Sequence, residues 1–334
     1  MNHAKINIIV CTYNRANMLR NALTSLSNQV TDRLFQYDIL VVDDNSTDDT
    51  PAVVRRFIPT SKAPVTYIHG SGEGIARARN RGIDASDGDY VVFFDDDQIA
   101  EPDWLKEMFI TMQETGACCV GGIRLLNLSR GEVSRLSPIT RRILGEIHHG
   151  DAARKSRRKE FPAAGNMLIR RSVFNIVGNF DDSLVKGGED IEFARQVRLA
   201  GLDAWYTPKS IVYHETPLYR TKSDYLYWTS LRNGDNFAYR DYLEWGLPRT
   251  VLANALRWGQ VAFINLPLFL WAWFQNNEKE QIGRKCLLLR ARAYSYQTLH
   301  LLSPKLFRFK KFFEQLEFRK ERETFATNAI PENA

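Results

Sequence analysis

The sequence predicts an α/β fold in which a mostly parallel, doubly wound sheet is followed by a helical region rich in aromatic and basic residues. Two observations predict the sheet. In the first 124 residues, short apolar runs alternate with amphipathic segments, and this order is typical of parallel strands covered by helices on both faces. Several apolar runs also end in carboxylates or other polar side chains, at the strand ends where open α/β sheets hold their ligands.

Each predicted strand is a short apolar run, and each predicted helix is a longer segment with apolar residues on one face. The predicted strands are Ile6–Cys11, Tyr37–Val42, Val65–His69, Tyr90–Phe94 and Ala117–Val120. The predicted helices are Asn17–Asn28, Thr47–Phe57, Gly74–Ala85 and Asp103–Thr115. Pro51 in the first turn of the second helix and Glu101–Asp103 at the start of the fourth are typical N-terminal residues.

Length and composition are those of an ordinary globular protein. The chain has 334 residues, of which 44% are hydrophobic and 25% charged, and its net charge of +6 does not by itself indicate nucleic acid. The four cysteines lack the spacing of a zinc site or a disulfide framework, so we expect reduced thiols in a cytosolic protein. The first strand begins almost at once, and no secretion signal is expected.

The middle of the chain is less regular. Residues 125–160 lack a periodic pattern and contain clusters of Arg and Lys, so we expect a long mobile loop that acts as a lid or binding loop. Regular structure is predicted to resume at Pro162–Arg170. Two helices, Arg171–Val177 and Glu189–Ala200, and a strand pair, Ala204–Tyr206 and Ile211–Tyr213, are predicted after it.

The region after Tyr219 is rich in Tyr, Trp, Phe and Arg, and its stretch Val251–Phe274 contains no acidic residue. A membrane-spanning helix needs about 20 predominantly apolar residues, and Arg257, Asn265 and Pro267 interrupt this stretch. Two interpretations stay open. The helices could pack as an ordinary subdomain, or they could bind a membrane surface through tryptophans and basic residues.

The most informative motif is the acidic triplet Asp95, Asp96 and Asp97, which follows a predicted buried strand. Burial of unpaired carboxylates is costly, so three at one strand end need a cation or a polar ligand. In an extended segment Asp95 and Asp97 point the same way. Their oxygens suit Mg²⁺ or Mn²⁺, especially a metal shared with a diphosphate. The alternative for the triplet alone is a solvated acidic turn.

Two other polar turns follow predicted strands. Asp44 follows the second strand, where it could accept hydrogen bonds from a ribose or a base, or could only cap the next helix together with Ser46. The turn Cys11–Arg15 follows the first strand, and its aromatic residue Tyr13 fits stacking on a nucleoside.

A glycine-rich turn, Gly72–Gly74, leads into a helix that contains Arg77, Arg79 and Arg81. Glycine lets the backbone approach a ligand, a helix N-terminus favours anions, and arginine binds phosphate with two hydrogen bonds. This pattern indicates a phosphate-binding segment. The alternative is a basic helix face in contact with solvent.

Glu189 and Asp190 follow a glycine pair at the start of a predicted helix. Acidic residues are common caps there, but a carboxylate at this position could also be a general base that removes a proton from an attacking hydroxyl. His214 follows the predicted strand Ile211–Tyr213 and could complete the ligand set of a metal held by carboxylates, although a single histidine is more often structural.

Four motifs resemble, in order and spacing, those of the family 2 glycosyltransferases of the GT-A fold: Cys11–Arg15, Val42–Ser46, Asp95–Asp97 and Glu189–Asp190. The stretches Gly74–Gly82 and Phe94–Leu105 are similar to the branch that includes succinoglycan-type exopolysaccharide glucosyltransferases. The resemblance covers residues 5–216. Each motif alone is weak, but the order and spacing together are specific.

The resemblance implies a role for each matching residue. The nucleotide-sugar would contact Cys11, Thr12, Tyr13, Asn14, Asp44, Gly74, Arg77 or Arg79, Asp95 and Asp96. The metal would be held by Asp95, Asp97 and His214, with Asp97 the direct ligand. The catalytic base would be Asp190, with Glu189 as its neighbour.

The implied reaction is an inverting transfer from a UDP-sugar to an acceptor hydroxyl, dependent on Mn²⁺ or Mg²⁺, in the synthesis of a cell-surface polysaccharide or a polyprenyl-diphosphate-linked oligosaccharide. Three alternatives stay open. A sugar nucleotidyltransferase should carry a Gly-rich, Lys-containing loop where this chain has Thr12–Arg15. A receiver-type signalling domain would leave the second half of the chain unexplained. A catalytically inactive nucleotide-sugar-binding module would not need both Asp97 and Asp190.

The predicted organisation is a catalytic domain at residues 1–216, with a nucleotide-binding half at about 1–124 and an acceptor half at about 160–216. A helical region follows at 217–323, and residues 324–334 are expected to be disordered. The resemblance implies a cytoplasmic enzyme attached peripherally to the inner face of the cell membrane, without nucleic acid as a partner.

Overall fold

The computed structural model describes residues 4–157, 160–184 and 188–307, and these form two compact units. The first unit contains the described residues of 4–125 and 147–215, and the second contains 126–146 and 216–307. No pattern in the sequence indicates that residues 126–146 group with the C-terminal helices. Residues 308–323 of the predicted helical region and the predicted disordered tail lie outside the described residues.

The described residues contain nine strands: β1 (Ala4–Thr12), β2 (Phe35–Asp43), β3 (Val65–His69), β4 (Tyr90–Asp95), β5 (Gln98–Ala100), β6 (Cys119–Asn127), β7 (Arg154–Lys155), β8 (Asn166–Arg170) and β9 (Ala204–Glu215). They form one mixed sheet in the order β3–β2–β1–β4–β8–β6–β9–β5, with β7 paired to β9. The first four strands along this order are parallel. β8 is antiparallel to both β4 and β6.

The helices in the described residues are α1 (Ala16–Ser27), α2 (Thr50–Phe57), α3 (Ile75–Ala85), α4 (Trp104–Thr115), α5 (Arg130–Ser134), α6 (Pro138–Ile143), α7 (Ser172–Val177), α8 (Glu189–Leu199), α9 (Ser223–Gln260), α10 (Leu266–Phe274) and α11 (Glu278–Leu302). Short 3₁₀ turns lie at Ile58–Thr60 and Leu218–Thr221, and a π-helical turn at Val261–Asn265 joins α9 to α10.

Both faces of the sheet are covered, as the sequence predicts. Ile6, Ile8 and Val10 of β1 are fully buried in one core cluster with apolar residues of α1 and α4. Ile9, between two of them, is buried in a second cluster with residues of α3 and α8. Because side chains alternate across a strand, this division is what a doubly wound sheet requires.

Several predicted elements have different bounds. The predicted strand pair 204–213 is one continuous strand, β9, and the pair is wrong. A proline is uncommon inside a strand, but β9 runs through Pro208 and pairs with β7 before it and with β5 after it. α2 begins at Thr50 instead of Thr47, because the residues before it form a turn that contacts Asn14.

The predicted long loop at 125–160 is also wrong as a description, because it contains α5, α6 and β7. Ser129 and Glu132 form a reciprocal capping box at the start of α5, and Ser137 accepts a hydrogen bond from the amide of Thr140 at the start of α6. These helices of five and six residues are too short to show an 11–18-residue periodic pattern.

The C-terminal helices contain two irregular points. Gly246 interrupts α9 with φ of 74°, a left-handed conformation that glycine adopts readily. Pro267 enters α10 just after the π-helical turn, which is one of the local changes that let a helix accommodate proline. None of the described helices is both long enough and apolar enough to span a membrane.

Candidate active site

The first three sequence motifs lie side by side at the carboxyl edge of the parallel strands. In the sheet register, Cys11 of β1 is opposite Asp95 of β4, and Thr12 is opposite Asp43 of β2. This adjacency follows from the topology, because β1 lies between β2 and β4. The sheet therefore brings together polar residues that are more than 80 positions apart in the chain.

Asp95 is positioned by groups of the protein itself. Its Oδ2 accepts a hydrogen bond from Nε2 of Gln98 at 3.1 Å, and its Oδ1 lies 4.0 Å from Nη2 of Arg79. Its amide donates to the carbonyl of Gly165 at 3.3 Å. Burial raises the pKa of Asp95 and the charge of Asp97 adds to this, whereas Arg79 opposes it.

Gly165 leaves the space that this carboxylate occupies. A Cβ atom at position 165 would overlap the carboxyl group of Asp95, which could not move away without losing its hydrogen bond from Gln98. The glycine is therefore needed here for a close approach, and its own backbone carbonyl is the acceptor for the amide of Asp95.

Asp97 and His214 form a second polar pair. Oδ2 of Asp97 lies 3.6 Å from Nε2 of His214 and 3.9 Å from Nη1 of Arg15. The backbone joins the same segments, because the carbonyl of Asp97 accepts a hydrogen bond from the amide of Glu215 at 2.8 Å. The pairing of β5 with β9 brings His214 to this point, with Gln98 as its partner in the register.

The predicted metal ligands are only partly assembled. Among the residues that the structure describes, no three Asp, Glu, His or Cys side chains gather as a metal site would require. The predicted extended alignment of Asp95 with Asp97 is wrong, because β4 ends at Asp95 and the next residues turn. Asp97 and His214 still offer a carboxylate oxygen and an imidazole nitrogen. This mixed donor set fits Mn²⁺ better than Mg²⁺, which takes oxygen ligands.

Asp96 has a different environment from its two neighbours. It is buried, and this burial raises the pKa of Asp96 to about 7, although the charge of Arg15 opposes the shift. Its burial limits direct contact with a ligand.

Arg79 connects the acidic triplet to the Glu189–Asp190 motif. It is 8% exposed, Nη1 is paired with Oε1 of Glu189, and Nη2 lies near Asp95. Its guanidinium lies over the ring of Phe180, 5.5 Å from the centroid. Burial alone would lower the pKa of Arg79, but the charges of Asp95, Glu189 and Asp190 outweigh burial and raise it.

Removal of Arg79 is expected to destabilise the fold. Arg79→Met would leave Glu189, which is 5% exposed, without its cation, and breaking a buried pair costs about 3–5 kcal/mol. The double variant Arg79→Met/Glu189→Met should recover much of this loss. Unfolding in denaturant measures both. Arg77→Met is the control, because the Arg77 side chain is 48% exposed. Equal losses for Arg79→Met and Arg77→Met would contradict the interpretation.

Asp190 differs from Glu189, although both begin α8 after Gly188. Asp190 is partly exposed, and its Oδ1 accepts a hydrogen bond from the amide of Ile191 at 2.8 Å. Burial raises the pKa of Asp190 and the adjacent Glu189 adds to this, whereas Arg79 opposes it. An accessible carboxylate with a raised pKa has the properties of a general base. Glu189 is instead committed to its ion pair.

The turn after β1 is held by Asn14, which has φ of 51°. Its Oδ1 accepts hydrogen bonds from the amides of Thr47 at 2.8 Å and Asp48 at 3.3 Å, and its own amide donates to Oγ of Ser46 at 2.9 Å. This network fixes the turn and leaves Tyr13 51% exposed at its tip. The aromatic ring is thus available for stacking, whereas the Asn14 oxygen is already used.

Asp44 holds the glycine-rich turn. Its Oδ1 accepts hydrogen bonds from the amides of Gly72 at 3.0 Å and Glu73 at 3.2 Å, and its Oδ2 accepts one from Gly74 at 2.8 Å. Arg77 is paired with Glu73 and with Asp182, the latter through Nε at 3.1 Å. A cavity of about 290 Å³ is lined by Asp44, Glu73, Arg77 and Asp182, among others. Oδ2 of Asp44 can still accept one more hydrogen bond. Direct contact of Asp44 with a nucleoside is therefore compatible with the structure and stays a prediction.

The predicted residues therefore fall into two groups. One connected group contains Cys11, Arg79, Asp95, Glu189 and Asp190. The pair formed by Asp97 and His214 lies beside this group. Asp44, Gly74 and Arg77 form the other, around the glycine-rich turn. Thr12 is buried.

Sequence reasoning missed three residues of the site. Gln98 is fully buried and its Oε1 has no partner among the described residues, yet a three-residue strand gives no pattern that would reveal it. Gly165 lies in the predicted element Pro162–Arg170, and nothing in the sequence marks it as part of the site. Arg124 affects the pKa of Asp95, and only the pairing of β6 with β8 brings it near.

The family model described as glycosyl transferase family 2 matches residues 7–177, about half of the chain. The chain belongs to this family. The prediction from the motifs is confirmed, and the protein is a glycosyltransferase. The succinoglycan biosynthesis protein ExoM of Rhizobium meliloti is 29% identical over 239 residues, which are 69% of this chain and 72% of ExoM. The glycosyltransferase AglE of Haloferax volcanii is 26% identical over 59% of this chain and 62% of AglE.

A solved structure supports the fold prediction. The mannosyltransferase PcManGT from Pyrobaculum calidifontis, determined in complex with GDP-Man and Mn²⁺, matches with a TM-score of 0.58 and 19% identity over 88% of this chain and 87% of that protein. This similarity confirms the GT-A type of α/β fold for this glycosyltransferase.

Proposed function

We propose that this glycosyltransferase inverts the anomeric centre as it moves a sugar from a UDP-sugar to an acceptor hydroxyl. The observation that carries the proposal is the buried Arg79, which joins Asp95 of the acidic triplet to Glu189. Arg79 thus connects the acidic triplet, which suits a diphosphate and its cation, to the first turn of α8. That turn contains the partly exposed base Asp190. These are the two functions that a single displacement needs.

The donor would bind at the carboxyl edge of β1, β2 and β4. Tyr13 is exposed at the tip of a fixed turn and would stack on the uracil, while the remaining acceptor position of Asp44 would take a donor of the nucleoside. Glycines at 72 and 74, both with positive φ, would let the backbone come close to the ligand. Arg15 and Arg124 add positive charge near the acidic triplet.

Asp190 would accept the proton of the acceptor hydroxyl as its oxygen attacks the anomeric carbon. The bond between that carbon and the diphosphate oxygen breaks, and its electron pair leaves with UDP. Arg79 and Glu189 act by positioning α8, because their ion pair fixes the helix start on which Asp190 lies. No covalent intermediate is required.

Asp97 and His214 would hold a divalent cation, Mn²⁺ or Mg²⁺, and PcManGT, which has a similar fold, was solved with Mn²⁺. When bound, such a cation supplies charge neutralisation for the diphosphate. Asp95, which accepts a hydrogen bond from Gln98, would not bind the cation directly. It would help to position the residues at the carboxyl ends of the strands.

We further propose that the acceptor is a saccharide of a cell-surface polysaccharide, carried on a polyprenyl diphosphate at the inner face of the membrane. The name of the relative ExoM, a succinoglycan biosynthesis protein, supports a polysaccharide product. Exposed aromatic side chains on the C-terminal helices support peripheral attachment.

A thermal-shift screen of UDP-, GDP- and dTDP-sugars, with and without Mn²⁺, tests the donor, and released nucleotide measures transfer. A ligand at 100 times its Kd stabilises by about 2.7 kcal/mol, so the melting temperature should rise for UDP-sugars with Mn²⁺. A shift with GDP-sugars alone would overturn the UDP assignment. Diphosphate release from a nucleoside triphosphate and a sugar phosphate would indicate a nucleotidyltransferase. Binding without transfer or donor hydrolysis would indicate an inactive module.

Gly165→Ala is expected to lower kcat/KM for the donor by at least about tenfold. The new methyl group would displace the Asp95 carboxylate from its position, and small displacements in a site can cost as much as about 10²-fold. Steady-state kinetics and a thermal melt measure the effect. The control is Gly131→Ala, whose Cβ would contact only Oγ of Ser129 at 3.9 Å. Unchanged kinetics for Gly165→Ala would show that the position of Asp95 does not matter.

A further inference from the structure

A group of arginines surrounds one buried carboxylate in the C-terminal helices. Asp241 of α9 is 1% exposed and accepts hydrogen bonds from Nη2 of Arg240 at 3.0 Å, Nη2 of Arg257 at 3.2 Å and the hydroxyl of Tyr294 at 2.9 Å. The guanidinium of Arg257 also lies over the ring of Tyr294, 4.0 Å from its centroid. Two arginines thus share a single carboxylate.

A third arginine makes the imbalance larger. Arg290 of α11 lies over the ring of Phe237, 5.9 Å from its centroid, and Arg240 approaches the same ring at 4.8 Å. Within the described parts of the chain, Arg290 forms no ion pair or hydrogen bond. Burial and the charge of Arg257 lower the pKa of Arg290. A guanidinium keeps its charge in proteins, so this uncompensated charge favours a bound anion.

The arginine group can be reached from solvent. The side chains of Arg240 and Arg257 are 33% and 29% exposed, and Arg290 is partly exposed. A phosphate could therefore meet donors that the protein leaves unused. Arginine binds phosphate with two parallel hydrogen bonds, and phosphate fits this cluster better than a carboxylate of smaller charge.

An exposed apolar surface begins at the same point. Trp258 follows Arg257, is 46% exposed, and donates through Nε1 to Oγ of Ser295, the neighbour of Tyr294. Beyond it, the side chains of Phe263, Trp273 and Phe274 are 84%, 65% and 75% exposed. Such a run of exposed aromatic residues is rare on a monomer in water but common where helices lie in a membrane interface.

We propose that this part of the chain docks on the surface of an anionic lipid bilayer. Arg257 and Arg290 take the phosphate of a lipid head group, while the aromatic side chains of Val261–Phe274 enter the acyl boundary. The helices lie on the bilayer and do not cross it, in agreement with the absence of a spanning helix among the described residues. This inference rests on the peripheral attachment proposed above, but the site is separate from the sugar-transfer site and does not depend on the donor or the base.

Co-sedimentation of the full chain with vesicles tests the proposal, and it involves no catalysis. We expect binding to vesicles of phosphatidylcholine with 30% phosphatidylglycerol to be at least about tenfold tighter than to phosphatidylcholine alone, and to weaken in 0.5 M salt. Arg290→Lys keeps the charge but loses the paired hydrogen bonds, so it should weaken binding by about fivefold. Arg292→Lys on the same helix is exposed and should bind as the wild type does.

A variant and a matched control also test the contribution of the exposed aromatic side chains. Phe274→Ser should reduce vesicle binding at least about fivefold, whereas Ile176→Ser, at a position 61% exposed in the first unit, should not.

Equal affinity for both vesicle compositions, or equal effects of Arg290→Lys and Arg292→Lys, would overturn the phosphate site. Full inhibition of vesicle binding by millimolar inorganic diphosphate, with stabilisation by diphosphate alone, would assign the site to a free anion. A concentration-dependent dimer without vesicle binding would assign the surface to a second copy of the chain.

Discussion

Asp190→Asn is expected to lower kcat by about 10²–10⁴-fold while donor affinity stays nearly unchanged, because that range is typical for loss of a general base. Asparagine keeps the size of the side chain and its ability to accept a hydrogen bond from the amide of Ile191. Calorimetry of donor binding and steady-state kinetics separate the two effects. If donor affinity fell as much as turnover did, Asp190 would be a binding residue.

The matched control is Glu192→Gln, in the first turn of the same helix, where the carboxylate is paired with Arg195 and Gln196. We expect little loss of turnover there. Asp190→Asn should also not destabilise the fold. The pKa of Asp190 is raised in the folded state, so its charge is a penalty that is fully present above the folded pKa and disappears as pH falls below the unfolded value. The variant lacks this penalty at neutral pH.

Asp97→Asn is expected to lower transfer by at least about 10²–10³-fold and to remove its response to added Mn²⁺. The amide cannot supply the negative charge that, with His214, would hold the cation against the diphosphate. A Mn²⁺ titration of transfer activity, with donor-dependent quenching of intrinsic fluorescence as a second readout, measures this effect. Unfolding in denaturant should show an unchanged fold.

The control for Asp97→Asn is Asp151→Asn, which alters an exposed Asp–His pair. Oδ1 of Asp151 lies 3.1 Å from Nε2 of His148, and the Asp151 side chain is 95% exposed. Its substitution should leave both activity and the Mn²⁺ response unchanged. Full activity of wild-type protein in EDTA, or a normal Mn²⁺ response of Asp97→Asn, would refute the metal assignment.

The sequence predicted the parallel half of the sheet and the positions of its motifs, because that information is local. Runs such as Val91–Phe94 are apolar throughout, as strands buried on both faces must be, and polar residues mark the strand ends. The predicted strand Val65–His69 and helix Arg171–Val177 lie within one residue of the observed elements.

The antiparallel half could not be predicted in the same way. β8 lies next to β4, and β9 bridges β5 and β7, so the choice of partner depends on contacts between distant segments. β5 and β7 have three and two residues, too few for a pattern. Pro208 in the middle of β9 even favoured a break that the pairing on both sides overrides.

The sequence does contain a signal that distinguishes Arg77 from Arg79, the two candidates for contact with the nucleotide. Ala76, Arg79 and Ile83 are buried at the spacing of one helix face, whereas Arg77 lies on another face and is half exposed. An arginine within an apolar stripe needs a buried partner. That this partner is Glu189, 110 positions away, could not be read from the sequence, because only the fold brings α8 to α3.

The stereochemistry of donor hydrolysis tests the central claim most directly. The donor should be an α-linked UDP-sugar identified by the screen, incubated with Mn²⁺ and no acceptor, and followed by proton NMR within seconds of mixing. If Asp190 activates a water molecule for a single displacement, the first sugar released is the β-anomer, and the α-anomer appears later by mutarotation. Release of the α-anomer first would mean retention through two displacements, and it would contradict the proposed role of Asp190.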